Sequence, residues 1–555
     1  MDAGRIGSAA ERAALVADEG SLRVWDAEVV SRDPLRFQDV RPYMERLQEA
    51  RERTGLGESV LTGAATVHGR PVALVAGEFG FLGGSIGVAT GERIARAFER
   101  AREQRLPLIA LPASGGSRMQ EGTLALVQMA KLATAARSFR AEGLPYVVCL
   151  TDPTTGGVLA SWGSLGTVTF ALPGALLGFA GPRVVELTTG RALPDGVQRA
   201  ETLLTDGLID AIVQPADLRT AVARILAVTA PPASAPASAS SAPPFAPSAP
   251  ASAASEPGSA PASAAFEPGS APSAPASAAS APGSAPPAPA PDAPRHERDA
   301  WQALRHARDP RRPGAEAVLA ALGAEVTELR GDRAGRPDDP GCLTALATIC
   351  GCSAMVVAQR RDADGRAPAL GPAGYRKARR AFALAAELRL PVVTIVDTPG
   401  AELSAAAEHG GLAAEIAGCL AELGALPVPT LALLLGEGGS GGALAFLHAD
   451  RVVCAENASL AVIAPEGASA ILRRDLDHAP ALAASQGGAA WELLREGIAD
   501  RLVPEPLPAH EQPDAFLARL ATIVAGELAA LTAADPAIRL AARTARWRHL
   551  GAPLA

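Results

Sequence analysis

Glycine and serine dominate the run GEGGSGG at residues 436–442, which lies between two apolar stretches. Within it, Gly438, Ser440 and Gly442 match G-x-S-x-G, the pattern that presents a nucleophilic serine between a strand and a helix. The same run could act through its backbone, because a helix that begins near Gly441 presents unpaired N–H groups to negative charge. The pattern therefore predicts one of two chemistries, a serine nucleophile or a backbone oxyanion hole.

A serine nucleophile also needs an acid and a histidine, and the chain offers poor candidates. None of three downstream histidines lies in a turn typical of a catalytic loop: His478, His510 and His549. His409 and His448 lie beside the DTPG turn and after the glycine run, but an isolated histidine at a helix end is usually a cap or a surface residue. We therefore expect Ser440 to be a small residue in a crowded turn.

Other glycine pairs also follow short β-branched strands, at Gly115–Gly116 and Gly156–Gly157. Glycine suits such turns because a Cβ would block the approach of a bulky substrate and because the turns often require positive φ. A single pair is explained equally well by tight packing. Recurrence of the pairs in both halves of the chain favours oxyanion binding.

Nucleotide hydrolysis and metal binding are not supported by the motifs. DTPG at 397–400 resembles a nucleotide-switch D-x-x-G, but no G-x-x-x-x-G-K-[ST] occurs and neither lysine follows a glycine loop. Cys342, Cys350 and Cys352 lack both C-x-x-C spacing and a fourth ligand. We therefore expect buried thiols on strands and no metal site.

Two stretches with the same order of elements position these turns. The first contains LPLIALPASGG, a helical stretch, LPYVVCLTDPTTGG and GALLGFAGPRVV; the second contains LPVVTIVDTPG, a helical stretch, VPTLALLLGEGGSGG and ASLAVIAPEGASAI. Each unit is a short β-branched strand that ends at a glycine turn and opens a helix, which is typical of parallel βαβ architecture. The sequence therefore predicts two α/β domains with related folds.

A segment of Ala, Pro, Ser and Gly at 231–294 separates the two domains, which we place at 1–230 and 295–555. This composition cannot bury a core, so we expect a disordered linker. A flexible chain of about 64 residues spans roughly 45 Å on average, which is enough to join two domains without fixing their geometry.

Charge and hydropathy argue against nucleic acid and membranes as partners of this chain. The formal net charge of -8 and the sequence pI of about 5.7 give no electrostatic footprint for nucleic acid. The N-terminus lacks the apolar core of a signal peptide, and no uninterrupted apolar stretch of about 20 residues indicates a membrane span. We expect a cytoplasmic protein that binds neither nucleic acid nor membrane.

Longer motifs resemble a known enzyme family. GFLGGSIG, ASGGSRMQEG, LVQMAKLA, GLPYVVCLTDPTTGGVLAS and ALLGFAGPRVVE resemble the β subunit of bacterial acetyl-CoA carboxylase carboxyltransferase, and DTPGAE, VPTLALLLGEGGSGGALAF and IAPEGASAILRRD resemble its α subunit. The resemblance implies a crotonase-like (ClpP/crotonase) ββα-spiral fold in each domain, with the acyl-CoA side in 1–230 and the biotin side in 295–555. The implied activity transfers the carboxyl group of carboxybiotin to acetyl-CoA and gives malonyl-CoA for fatty acid synthesis.

The resemblance also assigns roles to residues by motif. It implies backbone oxyanion holes, the first pair for the thioester oxygen and the second facing biotin, at Gly115, Gly116, Gly441 and Gly442. On the CoA side it indicates Gly83, Gly84, Gly181 and two phosphate-contacting arginines, Arg118 and Arg183. On the biotin side it indicates Gly438, Gly439, Pro465, Glu466 and Gly467. No metal in this chain is implied.

The chain departs from the family pattern in two places. No cysteine precedes Cys149, whereas the bacterial β subunit usually begins with a four-cysteine zinc ribbon, and LSAAAEHGG after DTPGAE is shorter than the family's stretch. The chain also contains no MKM biotinylation site and no ATP-grasp loop. We therefore expect the biotin carboxyl carrier protein and the biotin carboxylase to be separate partners, and two fused chains to pair as a homodimer.

Alternative activities remain open at this point. A malonyl-thioester or biotin-dependent decarboxylase of the same fold would use the same oxyanion holes. The small residues at Ala443–Ala445 suit acetyl-CoA without excluding a propionyl-CoA-preferring carboxyltransferase. A non-catalytic scaffold would have no reason to retain the glycine pairs.

Overall fold

Each half of the chain contains one mixed β-sheet whose central strands carry almost only buried apolar side chains. The strands of the first half are β1 (Arg23–Trp25), β2 (Val60–Val67), β3 (Arg70–Gly77), β4 (Leu108–Leu111), β5 (Tyr146–Leu150), β6 (Thr154–Thr155), β7 (Val168–Ala171), β8 (Leu177–Gly178) and β9 (Ala211–Ile212). Those of the second half are β10 (Gly323–Glu328), β11 (Cys342–Ile349), β12 (Cys352–Gln359), β13 (Val392–Thr398), β14 (Thr430–Gly439), β15 (Arg451–Ala455), β16 (Ser459–Ala461) and β17 (Arg501–Val503). The structure is a computed structural model that describes residues 7–37, 41–229, 299–335 and 337–551. The linker predicted at 231–294 lies outside the described residues.

The two sheets have the same strand order. The first follows β1-β2-β3-β4-β5-β7-β9, and the second follows β10-β11-β12-β13-β14-β15-β17 with β16 paired to β14. In both sheets the first three strands pair antiparallel, and every later pair is parallel. Parallel strands covered on both faces need near-continuous apolar runs, which LIAL in β4 and LALLL in β14 supply. The predicted pair of related α/β folds is therefore confirmed.

Helices cover both sheets. In the first half they are α1 (Ala9–Ala14), α2 (Tyr43–Thr54), α3 (Val88–Glu103), α4 (Gly122–Leu126), α5 (Gln128–Ala141), α6 (Pro182–Thr189), α7 (Ala200–Thr205) and α8 (Leu218–Thr229). In the second half they are α9 (Ala300–Ala307), α10 (Ala315–Leu322), α11 (Pro372–Leu388), α12 (Ala405–His409), α13 (Leu412–Gly424), α14 (Ser440–Leu444), α15 (Pro465–Leu472), α16 (Ala479–Ser485), α17 (Ala490–Arg495), α18 (Pro513–Ala533) and α19 (Pro536–His549). Proline at the first position and a left-handed residue after the last one mark the ends of α11, as local propensity predicts.

The two halves pack directly on each other and belong to one compact unit. Helix α5 of the first half lies against α13 of the second, and both helices present small or apolar residues to the contact. Beside them, the N–H and hydroxyl of Thr123 donate to the carbonyl oxygen of Gln486. Arg548 of α19 forms ion pairs with Glu92 and Glu99 of α3. The fused chain therefore brings both sheets together without a second copy.

One described helix, α18, is long and apolar enough to cross a membrane by length and composition, with a mean hydropathy of 1.5. One face of α18, including Phe516, Leu520 and Val524, is buried. On the same helix, Glu527 forms an ion pair with Arg501 of β17 at 3.2 Å. The helix is thus integrated into the second half through apolar packing and a charge pair.

Candidate functional site

The glycine run of the second half lies where β14 ends and α14 begins at Ser440. Its backbone lies against the DTPG turn so closely that added side chains would collide. A Cβ on Gly439 would overlap the carbonyl group of Pro399, and a Cβ on Gly442 would lie 2.7 Å from the backbone nitrogen of Ala401. Glycine at these positions therefore lets two backbone segments meet with no side chain between them.

The N–H groups of Gly441 and Gly442 form no hydrogen bond to a described residue. They lie in the first turn of α14, where N–H groups have no acceptor within the helix and the backbone dipoles favour negative charge. Both residues are buried, so water has little access to compete for these donors. This arrangement suits an oxygen atom on which negative charge develops.

Ser440 has a φ of +54°, in the left-handed region that is unusual for a residue other than glycine. Among the described residues, no histidine is hydrogen-bonded to its hydroxyl. His448 bonds instead to Thr134 and to the carbonyl oxygen of Leu420, and burial lowers the pKa of His448 to about 3. The nucleophile hypothesis therefore finds no general base at this turn.

In the first half, both N–H groups of the turn at Gly115–Gly116 have acceptors within the protein. The N–H of Gly115 donates to the carbonyl oxygen of Gly83 at 2.8 Å, and the N–H of Gly116 donates to Oγ of Ser114 at 3.0 Å. The reason is that the turn folds against the GFLGG segment and its own serine, which supply the acceptors. The assignment of these two N–H groups as oxyanion-hole donors stays a prediction.

In the same half, the N–H of Gly157 forms no hydrogen bond to a described residue. Gly156–Gly157 follows β6 directly after β5, and Gly441–Gly442 follows β14, which occupies the place of β5 in the second sheet. These two turns are therefore equivalent, whereas Gly115–Gly116 corresponds to the DTPG turn. The sequence does contain this signal, because LPYVVCLTDPTTGG and VPTLALLLGEGGSGG are matching blocks.

The two equivalent turns approach each other across one side chain, that of Met129 on α5, which is buried. A Cβ on Gly157 would lie 3.0 Å from Sδ of Met129, and a Cβ on Gly441 would lie 2.9 Å from its Cε. The two turns, one from each half of the chain, therefore pack against the same buried side chain. A methionine within an apolar helix carries no sequence signal for this position.

The residues predicted on the CoA side lie on two segments of the first half. Gly83 and Gly84 have φ values of +67° and +66°, and a Cβ on Gly84 would overlap the carbonyl group of Ala113. Gly181 is the N-cap of α6, and Arg183 in the first turn of that helix is exposed. Arg183 is therefore accessible to an anionic group, and its contact with a CoA phosphate stays a prediction.

The side chain of Arg118 is fully buried. Nη2 lies 2.5 Å from Oε1 of Glu58, and Nη1 lies 3.1 Å from Oε1 of Glu121. The hydroxyl of Tyr43 donates to Glu121 at 2.5 Å. Burial alone would raise the pKa of Glu58, but the neighbouring guanidinium of Arg118 lowers that pKa below its usual value. Arg118 therefore anchors its loop inside the protein through these ion pairs, and its contact with a CoA phosphate stays a prediction.

The residues predicted on the biotin side surround a second ion-pair cluster. Pro465, Glu466 and Gly467 begin α15, and Gly438 and Gly439 end β14. Arg308 lies 2.5 Å from Oε1 of Glu466 and 2.5 Å from Oε1 of Glu437. Burial raises the pKa of Glu437, an effect that Arg308 opposes. The Glu466 carboxylate is thus held beside the end of β14 by Arg308, the residue that follows α9.

The described residues contain no group of three or more side chains that could hold a metal ion. Cys342 is buried, and burial raises its pKa to about 12. Cys350 and Cys352 are partly exposed, so the expectation of buried thiols holds for Cys342 alone of these three.

Comparison with known proteins shows that each half of the chain matches a carboxyltransferase family. Residues 16–264 match the family model of the carboxyl transferase domain, and residues 295–551 match that of acetyl co-enzyme A carboxylase carboxyltransferase-like proteins. The probable biotin-dependent acyl-coenzyme A carboxylase beta3 subunit of Mycobacterium tuberculosis is 45% identical over 541 residues, 97% of each chain. The acetyl-coenzyme A carboxylase carboxyl transferase subunits beta/alpha of Parafrankia sp. is 43% identical over 553 residues, 98% of this chain and 86% of the relative. Transcarboxylase 12S, a solved structure, shares 21% identity over 95% of this chain and 90% of its own, with a TM-score of 0.35.

Two sheets of one topology, each with a glycine turn at the end of its fifth strand, define a crotonase-like α/β protein with a duplicated fold. Full-length similarity at this level then fixes the family. The chain belongs to the biotin-dependent acyl-coenzyme A carboxylase carboxyltransferases, with a β-like part and an α-like part fused in that order.

Proposed function

We propose that the chain is the carboxyltransferase component of acetyl-CoA carboxylase and forms malonyl-CoA in the cytoplasm. The observation that carries the proposal is the pair of equivalent turns, at Gly157 and Gly441–Gly442, whose N–H groups have no acceptor among the described residues and which both pack against Met129. The relative from Parafrankia sp. is named for acetyl-coenzyme A, whereas that from Mycobacterium tuberculosis is named for acyl-coenzyme A. We therefore propose acetyl as the acyl group because of the relative from Parafrankia sp.. A separate biotin carboxylase, a separate carrier protein and a second copy of the chain complete the proposed assembly.

The site provides two places for developing negative charge. Carboxybiotin, brought by the carrier protein, would supply the carboxyl group. The N–H of Gly157 would donate to the thioester oxygen of the acyl-CoA as its enolate forms. The N–H groups of Gly441 and Gly442 would stabilise the negative charge that develops on the ureido oxygen of biotin. These donors are fixed by strands and packed glycines, so they need no reorganisation during the reaction.

The reverse reaction tests this proposal directly. Purified protein should consume malonyl-CoA only when free biotin is present. Gly441→Val should reduce this turnover by roughly 10²–10³-fold, the usual loss for one oxyanion donor, because the added side chain collides with Met129 and displaces the turn that carries the N–H. Steady-state rates with malonyl-CoA and with methylmalonyl-CoA would measure both the activity and the acyl preference.

Ser440→Gly is the matched control at the adjacent position. It removes the hydroxyl and suits the φ of +54°, so turnover should persist. Loss of turnover in Ser440→Gly would restore the serine as a nucleophile. Turnover without biotin would identify a decarboxylase instead, and a preference for methylmalonyl-CoA would replace acetyl-CoA by propionyl-CoA.

A further inference from the structure

A carboxylate of the second half holds a loop of the first half. Both carboxylate oxygens of Glu408, on α12, lie 3.0 Å from the backbone nitrogen of Phe179, which donates to them. Nε2 of Gln198 donates to Oε1 of Glu408 at 2.6 Å and to the carbonyl oxygen of Ala180 at 2.7 Å. Glu408 therefore fixes the start of the FAGPR segment, which we call the 179–183 loop.

β8, the strand that precedes this loop, is hydrogen-bonded to the Gly156–Gly157 turn. β8 pairs with β6, and the carbonyl oxygen of Gly178 accepts from the N–H of Gly156 at 3.2 Å. A Cβ on Gly178 would overlap the side chain of Gln198, so this strand and the amide are packed without a gap. A displacement of the 179–183 loop would therefore reach Gly157 through a single short strand.

Glu408, at the other end of this contact, lies on α12, a helix close in the chain to the DTPG turn that packs against the second glycine turn. Helix α12 begins after Ser404, whose Oγ accepts from the N–H of Ala407, and Ser404 follows the DTPG turn closely in the chain. That turn packs against Gly439. Burial raises the pKa of Glu408, and the donors from Phe179 and Gln198 oppose this effect, so the carboxylate is desolvated and depends on these partners.

We propose that Glu408 is a positioning residue for the CoA end of the substrate. By holding the 179–183 loop and β8, it keeps Arg183 and the N–H of Gly157 in place to bind one acyl-CoA molecule. The inference rests on the proposed function for the identity of the substrate. It also makes the second half a determinant of affinity for a ligand whose contacts lie in the first half.

The experiment uses the full chain with Glu408→Ala, and with His409→Ala as the matched control. His409 lies on the same helix, and its Nδ1 pairs at 2.7 Å with Asp206 of the first half, which is outside the 179–183 loop. Hydrogen exchange of peptides covering 176–190 should increase in Glu408→Ala and stay unchanged in His409→Ala. Titration with CoA should show roughly 10-fold weaker binding or more in Glu408→Ala, because hydrogen bonds to a charged group are lost.

Steady-state kinetics separate positioning from a general loss of folded protein. In Glu408→Ala the KM for malonyl-CoA should rise by a similar factor and kcat should also fall, because the N–H of Gly157 moves with the loop, while the KM for free biotin stays constant. Glu408→Gln retains one acceptor oxygen and should fall between the wild type and Glu408→Ala. A merely structural defect would lower the apparent kcat and leave both KM values unchanged.

Several outcomes would overturn the inference. Unchanged exchange in 176–190, an equal effect of His409→Ala, or wild-type protein without affinity for CoA would each do so. Wild-type protein that binds CoA but shows no biotin-dependent turnover would instead refute the proposed function. In that case exchange and CoA titration would still decide the role of Glu408.

Discussion

At the scale of single residues, Lys131 shows how burial changes the chemistry of a side chain. It is one of two lysines in the chain, and its side chain is fully buried. Nζ lies 3.6 Å from Oε2 of Glu92, too far for a hydrogen bond, and has no other partner among the described residues. Burial lowers the pKa of Lys131 to about 8, an effect that Glu92 opposes. The folded protein therefore releases this proton at a lower pH than the unfolded chain does.

We expect the contribution of Lys131 to the free energy of unfolding to increase as pH rises from about 8 to about 10.5, because only the unfolded chain then retains the proton. The expected gain is on the order of 3 kcal/mol across this interval. Lys131→Met removes the group and should flatten this part of the stability curve. Urea unfolding of both proteins at several pH values measures the difference, and parallel curves would contradict the assignment.

The sequence predicts turns and helix starts better than it predicts the partners of the groups on them. Gly441 is found at the start of a helix because a strand, a glycine run and an apolar helix are consecutive in the chain. The N–H of Gly115 has an acceptor that no local pattern shows, because the carbonyl oxygen of Gly83 comes from a distant segment. The same holds for Arg118, since its partner Glu58 lies 60 residues away. Local pattern predicts elements and turns, whereas the hydrogen-bond partner of a donor depends on tertiary contacts.

At the scale of elements, the C-terminal helix α19 is fixed by one buried acid. Asp450 precedes β15, and its Oδ1 lies 2.7 Å from Nε of Arg543. Its Oδ2 lies 3.0 Å from Nη1 of Arg539 on the same helix. Trp547, one turn further on, is also fully buried and donates to the carbonyl oxygen of Ala449. The sequence shows an amphipathic helix here, but its docking site becomes visible only in the structure.

Asp450→Ala should destabilise the protein by about 3–5 kcal/mol, because two buried guanidinium groups lose their counter-charge. Detachment of α19 should also make residues 536–549 accessible to protease before global unfolding. Arg495→Ala is the control, since its exposed pair with Glu496 should contribute about 0–1 kcal/mol. Chemical denaturation and limited proteolysis measure both effects. Equal stability of the two variants would show that Asp450 does not hold the helix.

At the scale of the whole molecule, the two halves make a contact that includes backbone as well as side chains. A Cβ on Gly122 would overlap the carbonyl group of Gln486, so the first half approaches the second without room for a side chain. Nε2 of Gln128 donates to the carbonyl oxygen of Leu550 at 3.3 Å. The two halves therefore belong to one compact unit.

Residues 1–230 and 295–555, coexpressed as separate chains, should therefore copurify and retain biotin-dependent turnover. Gly122→Ala should abolish copurification, because the new Cβ collides with the second half. Gly143→Ala is the matched control: both glycines have positive φ, but a Cβ on Gly143 meets no atom within 4 Å. Affinity pull-down of one chain measures the association. In the fused chain Gly122→Ala should have a smaller effect, since tethering raises the effective concentration of the halves. Copurification of the Gly122→Ala pair would show that this contact is dispensable.

The position of Met129 between the two turns has a consequence for the breadth of substrates. An unbranched thioether has several rotatable bonds and fills irregular space, so the gap between Gly157 and Gly441 can widen or narrow by a rotamer change with the backbone in place. Under the proposed function, the size of the acyl group accepted there would depend on the conformational freedom of this one side chain. Replacement of Met129 by a stiff, branched side chain would fix the width of the gap between the two turns.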